Sequence, residues 1–314
     1  MENLRIVFMG TPDFAVGVLK TLIENNYNVV GVITAPDRPS GRGRKINQSA
    51  VKEFALQHKL PILQPTNLKD KSFLNELKQL NANLQVVVAF RMLPTVVWQL
   101  PKFGTFNLHA SLLPQYRGAA PINWAIINGE TSTGVTTFFI DEKIDTGNII
   151  LQDEIKITNT DTAGTLHDKL MESGSKLVIK TIEKIKNKEV TTIKQPKKEG
   201  KAAPKIFKET CKIDWNDNLD KIYNKIRGLS PYPTAWTTIK NGHEILEVKL
   251  YSVNKHKIKH THPNGKIITT KKEMKIAVKD GYIIIDEIQL PSKRKIKVKD
   301  LLNGYAFYEN AIAL

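Results

Sequence analysis

The sequence contains one cysteine, Cys211, in 314 residues. A lone thiol excludes a disulfide framework and a zinc site built on several cysteines. It also makes the cytoplasm the natural compartment. Acidic side chains are in deficit: 31 Asp and Glu face 47 Lys and Arg, a formal net charge of +16. No segment approaches the roughly 18 consecutive apolar residues of a membrane span. The opening MENLRIVFMG runs straight into a strand-like segment, with neither the basic and apolar regions of a secretory leader nor an Arg- and Ser-rich transit peptide. Global disorder is excluded as well, because 41% of the residues are hydrophobic and only 25% are charged.

What is present points to two domains, since the length exceeds the roughly 250–300 residues at which a single core stops growing. The charge is uneven. Residues 201–314 carry 22 basic and 12 acidic side chains, whereas residues 1–200 carry 25 and 19. A basic C-terminal third suits an acidic macromolecule, most simply nucleic acid. A lysine-heavy composition alone accounts for it equally well.

Strand and helix signals alternate in the first half. Residues 5–9, 29–34, 62–63 and 84–90 form short apolar runs. Between them, Asp13–Glu24, 49–55 and 71–80 repeat apolar residues at helical spacing. Continuous apolar strands alternating with helices predict a doubly wound, Rossmann-like α/β domain with its site at the carboxyl ends of the strands. Further strands are expected at Thr105–His109, 135–141 and 149–155, and helices at 119–128 and Ala163–Lys186. Residues 195–205 (QPKKEGKAAPK) have linker composition. Beyond them come a helix at 219–229 and five short strands at 235–239, 245–253, 266–270, 275–278 and 282–285, separated by Asn-Gly and Asp-Gly turns. That pattern suits a small OB-like β-barrel. The expected division is therefore 1–194, a linker at 195–205, and 206–314.

The first strand-to-helix turn, Gly10-Thr11-Pro12, lacks the spacing of a dinucleotide-binding loop, and Pro12 removes an amide donor. Asn107 and His109 lie two apart on a predicted strand, so both side chains leave the same face. An amide donor and a titratable imidazole are thereby offered to one small volume, although such a pair also occurs as satisfied core polar groups. The irregular segment SLLPQYRGAAP follows at 111–121, where a strand ends. Asp145, in I-D-T-G at 144–147, either orients His109 or supplies an Asx-turn before Gly147. Spacing does not choose between the two.

Several segments together resemble a known family. N-L-H-A-S-L-L-P-Q-Y-R-G-A-A-P at 107–121 and I-D-T-G at 144–147 are similar to the signature of folate-dependent formyltransferases. GTPDFA at 10–15, PDRPSGRGR at 36–44, IDW at 213–215 and IRGLSPYPTAW at 226–236 resemble the branch that formylates methionyl-tRNA. The resemblance covers nearly the whole chain in the expected order. It implies that Asn107, His109 and Asp145 are catalytic and that Ser111, Leu112, Leu113 and Pro114 contact the folate. The implied donor is 10-formyltetrahydrofolate, with no metal, and the implied acceptor is the α-amino group of methionine on initiator tRNA. Arg38, Arg42, Arg44 and Lys45 would belong to a loop that touches the tRNA acceptor end, and the C-terminal barrel would help hold the tRNA. Composition alone reads residues 36–45 as a solvated flexible loop.

The chemistry fits this implication. A neutral amine adding to a formyl carbon creates an oxyanion, and preorganised donors supply roughly 3–4 kcal/mol each in such acyl transfers. Asn107 and His109 would be those donors, with Asp145 holding the imidazole and assisting removal of the amine proton. The family usually has Gly at the position of Arg91, so Arg91 either narrows the folate pocket or points to solvent. KHKIKHTH at 255–262 offers three His, but its lysines repel a cation. KRKIKVK at 293–299 reads as a charged strand edge or a phosphate-contacting stripe. Trp215, Tyr232 and Trp236 read as base-stacking platforms or as packing. The same catalytic set would serve a small acceptor, glycinamide ribonucleotide or an amino sugar nucleotide. The scaffold would also serve a silent RNA-binding protein.

Overall fold

A computed structural model describes residues 3–40, 45–196 and 200–314, without the side chains of Ser40, Lys45 and Ile46. The chain forms two compact units. One comprises Met1–Gly118, Thr133–Ile155 and His167–Ala202; the other comprises Ala119–Ser132, Lys156–Leu166 and Ala203–Leu314. Neither unit is one continuous segment.

The first unit is built on a seven-stranded sheet: β1 (Ile6–Gly10), β2 (Val29–Ile33), β3 (Ile62–Leu63), β4 (Leu84–Val88), β5 (Thr105–His109), β6 (Ser132–Phe139) and β7 (Ile149–Lys156). Its order is β7-β6-β5-β4-β1-β2-β3. The run from β3 through β5 is parallel, and β6 is antiparallel to β5. Every residue of β1 and β4 is buried, as a sheet covered on both faces requires. Helices Asp13–Glu24, Ala50–Gln57 and Lys71–Gln79 alternate with these strands, which makes the unit Rossmann-like. The sheet order reverses direction at β1, which has β2 on one side and β4 on the other. Such a switch point opens a crevice at the carboxyl ends of the strands.

Strand β4 is shorter than the apolar run predicts. Ala89 takes a positive φ of 47°, which ends the strand at Val88 and leaves Phe90 and Arg91 in the following loop. Residues Arg38–Ser40 and Lys45–Asn47 pair antiparallel, so the two ends of the glycine-containing loop form a hairpin. Asp37 secures its base by binding Lys52 Nζ and Gln64 Nε2.

The second unit contains an antiparallel sheet of β8 (Ala235–Asn241), β9 (Glu244–Lys257), β10 (Ile267–Thr269), β11 (Met274–Val278), β12 (Gly281–Gln289) and β13 (Ile312–Ala313), in the order β10-β11-β12-β9-β8-β13. A bridge between Lys266 and Ile312 joins its two edges and nearly closes a barrel. Only the five longer strands carried a sequence signal; the two-residue β13, too short for any periodicity, completes the ring. Trp215 is buried in this unit's core, with Nε1 donating to Thr237 Oγ1 at 2.9 Å.

Helix Pro121–Ile127 belongs to this unit and packs on helix Leu219–Gly228. Asn123 Nδ2 donates to Gly228 O at 2.8 Å, and a Cβ on Gly228 would stand 2.7 Å from Ile127 Cγ1. Arg227 is buried and donates to the carbonyls of Thr158 (3.2 Å) and Asp161 (2.8 Å) and to Asn224 Oδ1 (2.9 Å). Among the described residues, no helix is long and apolar enough to cross a membrane.

Candidate active site

The period-2 geometry of β5 puts Thr105, Asn107 and His109 on one face. Neighbouring strands fix their register: Asn107 stands opposite Val87 on β4 and Phe138 on β6, and His109 opposite Thr136. His109 is buried at the carboxyl end of the strand. Its Nε2 lies 2.8 Å from the carbonyl oxygen of Tyr116. A carbonyl only accepts, so Nε2 carries a proton in both the neutral and the charged ring. The other ring nitrogen, Nδ1, faces Asp145 Oδ2 at 3.8 Å. That separation suits an ion pair with the protonated ring and is too long for a hydrogen bond. Both side chains are largely shielded from water, at 7% and 13% exposure, so the attraction is screened less than at a surface. Asp145 itself takes a positive φ of 55°, and its Oδ2 accepts the Gly118 amide at 3.0 Å. Among the described residues no hydrogen bond engages the half-buried Asn107 amide.

The loop after β5 is folded by a network that sequence reasoning missed. Thr136 Oγ1 donates to Ser111 O at 2.6 Å and accepts from Leu113 N at 3.1 Å. Gln152 Nε2 donates to Leu113 O at 3.0 Å and to Thr136 Oγ1 at 2.9 Å. Ser111 donates its hydroxyl to Gln115 O, and Leu113 is buried with Phe138 and Ile149. Of the four expected folate-contacting residues, only Leu112 and Pro114 keep half-exposed side chains.

At the carboxyl end of β5, an amide unengaged among the described residues shares one face with an imidazole backed by an acid. Two family profiles match the chain: one described as formyl transferase over residues 4–182, and one described as formyl transferase, C-terminal domain, over residues 205–306. The chain belongs to the formyltransferase family. A curated relative from Flavobacterium johnsoniae, named methionyl-tRNA formyltransferase, is 61% identical over 312 residues, covering 99% of both chains. Among solved structures, an N-formyltransferase from Helicobacter canadensis, in complex with folinic acid and dTDP-3-aminofucose, is 22% identical with a TM-score of 0.64, covering 93% of this chain and all of that one. HypX from Aquifex aeolicus, in complex with tetrahydrofolic acid, is 18% identical with a TM-score of 0.66, covering 96% of this chain and 47% of that one. At these identities the two structures establish the fold.

Within this formyltransferase, Arg38 is exposed on the hairpin strand Arg38–Ser40. Lys45 opens the opposite strand, paired with Ser40, while Arg42 and Arg44 lie outside the described residues. Arg91 is exposed at the surface and is tied back to the neighbouring loop. Its guanidinium donates to Thr66 O at 2.8 Å and to Pro65 O, and partial burial together with the positive charge of Arg38 lowers its pKa.

His260 Nε2 donates to the carbonyls of Val278 and Gly281, and its ring lies over Tyr282. Among the described residues no three His, Cys, Asp or Glu side chains converge on a metal-binding point. Ile296–Lys297 pairs with β12, and Lys295 binds Glu287 at 2.8 Å. Trp236 donates to Lys208 O, with Lys208 and Lys212 over its ring, while Tyr232 is 81% exposed.

Proposed function

We infer that this chain transfers the formyl group of 10-formyltetrahydrofolate to the α-amino group of methionine on initiator tRNA, in the cytoplasm. The acceptor is carried by one observation: 61% identity across 99% of both chains to a relative named for that activity. The chemistry is carried by the geometry at the end of β5. The folate-bound formyl carbon supplies the electrophile. Asn107, whose amide has no hydrogen-bond partner among the described residues, donates to the formyl oxygen as it becomes negative. His109, held by the Tyr116 carbonyl at Nε2, presents its Nδ1 proton to the same oxygen. Asp145 stabilises the charged ring and takes part in removing the proton that the amine loses; collapse of the tetrahedral adduct then breaks the bond from the formyl carbon to N10, which takes up a proton and leaves as tetrahydrofolate. The main chain of Ser111–Pro114, with Leu112 and Pro114, borders the folate. Residues 1–194 hold the transfer site, and Arg38, Arg42, Arg44 and Lys45 engage the tRNA acceptor end. The basic barrel at 206–314 holds the body of the tRNA.

An assay of the purified protein with 10-formyltetrahydrofolate and three acceptors tests this reading: charged initiator tRNA, glycinamide ribonucleotide and an amino sugar nucleotide. Formyl-methionine on tRNA alone is the expected product. Formylation of a small acceptor, or of none, rejects the reading.

A further inference from the structure

Gln195 opens the stretch whose composition is that of a linker, and it lies between the two matched segments, 4–182 and 205–306. A linker glutamine should point into water. This one is 7% exposed, and both ends of its amide are engaged. Nε2 donates to Asp145 O at 3.0 Å and to Gly147 O at 2.8 Å. Oε1 accepts from Arg117 Nε at 3.2 Å and Nη2 at 2.5 Å. The two donors and two acceptor lone pairs of a primary amide are thus all used.

We propose that Gln195 is a positioning residue for formyl transfer, which it serves by fixing the turn that carries Asp145 at its distance from His109. This rests on the catalytic reading of Asp145 given above. The turn is held at two points. Its carboxylate is held by the Gly118 amide, and its main chain by Gln195, which is itself anchored on Arg117, the neighbour of Gly118. Both attachments therefore refer to one dipeptide, and that dipeptide follows Tyr116, whose carbonyl holds His109. Asp145 needs such support because its left-handed backbone is disfavoured for a residue with a side chain. Without the Gln195 amide, the carbonyls of Asp145 and Gly147 lose their donor and the turn is free to move. A shift of about 1 Å at a reacting group costs on the order of 100-fold in rate.

Two variants separate the halves of the amide. Gln195→Met keeps the length and removes all polarity. Gln195→Glu keeps an acceptor for Arg117 and removes the donor to the carbonyls. Both are expected to lower kcat about 10- to 100-fold while changing KM for tRNA and folate less than about threefold. In an Asp145→Asn background, Gln195→Met is expected to add almost nothing, because it acts through that acid. Wild-type kcat in Gln195→Glu, or losses that multiply in the double variant, overturns the proposal. A readout free of catalysis keeps the tests distinct. The Gly118 amide resonance should move in Gln195→Met as it does in Asp145→Asn. An unmoved resonance overturns the proposal, whereas an inactive wild-type protein with a moving resonance overturns only the formyl-transfer reading.

Discussion

The carbonyl of Tyr116 accepts the Nε2 proton of His109 at 2.8 Å. Tyr116 has a positive φ of 58°, and its own amide donates to Lys201 O at 2.5 Å. A main-chain group from the loop after β5 therefore fixes Nε2 as the ring nitrogen that carries the proton of the neutral imidazole. The acid across from it faces the other nitrogen, Nδ1, at 3.8 Å. This division of labour leads to the first prediction.

His109→Ala removes both a donor and a titrating group; Asp145→Ala removes the charge behind it. Each is expected to lower turnover by about 10²- to 10⁴-fold, and Asn107→Ala by about 10²- to 10³-fold. Affinity for tRNA, measured by filter binding, should stay unchanged. Near-normal turnover in both the His109 and Asp145 variants would remove these roles.

In the proposed function, Arg38 and Arg42 engage tRNA phosphates. Arg38→Ala and Arg42→Ala should raise KM for charged tRNA and leave KM for folate unchanged. Each lost phosphate contact should reduce the slope of log affinity against log salt by about one. An equal rise in both KM values counts against a tRNA-specific role.

Gly147 has no room for a side chain. A Cβ there would lie 1.6 Å from Phe139 O. Gly147→Ala must therefore displace the turn that carries Asp145. Both Tm and kcat are expected to fall, and an unchanged kcat in a folded variant would show that the turn tolerates movement.

Arg227 lies in a motif that resembles the family, yet its guanidinium is spent on Thr158 O, Asp161 O and Asn224. Arg227→Met should cost about 2–4 kcal/mol by removing the guanidinium donors to the Thr158 and Asp161 carbonyls. Arg227→Lys should recover little of this, because an ammonium lacks the planar fork. Urea denaturation measures both, and a loss confined to activity contradicts the assignment.

Asp37 contributes a pH dependence. Hydrogen bonds from Lys52, and then from Gln64, hold its carboxyl below the ordinary value of 3.8. A depressed folded-state pKa means that the contribution is present above the unfolded value and disappears as pH falls through the folded value. Asp37→Asn should lower the urea midpoint near neutrality, and the gap from the parent should shrink on acidification to about pH 2. A gap independent of pH rejects the assignment.

Long periodic segments were legible in the sequence. Helices Asp13–Glu24 and Ala163–Lys186 and strand β5 have their expected bounds, because their apolar spacing repeats often enough to define one face. Strand β13 and the two hairpin strands were not legible. They form only because distant chain supplies their hydrogen bonds. At the site, period 2 alone put Asn107 and His109 on one face. Spacing left Asp145 open between a partner for His109 and a turn residue; the structure has it turning the chain at positive φ while facing the ring.

By itself the sequence determined the doubly wound and barrel architectures, the strand that presents the amide and the imidazole, and, through its motifs, the family. Tertiary structure alone decided what lies between those motifs: which nitrogen of His109 meets the Tyr116 carbonyl, how Arg91 is spent, and why a glutamine of linker composition is buried against the Asp145 turn. The reason is physical. Periodicity records which face of a local element is dry, whereas a hydrogen bond between residues 145 and 195 depends on the path of all the chain between them.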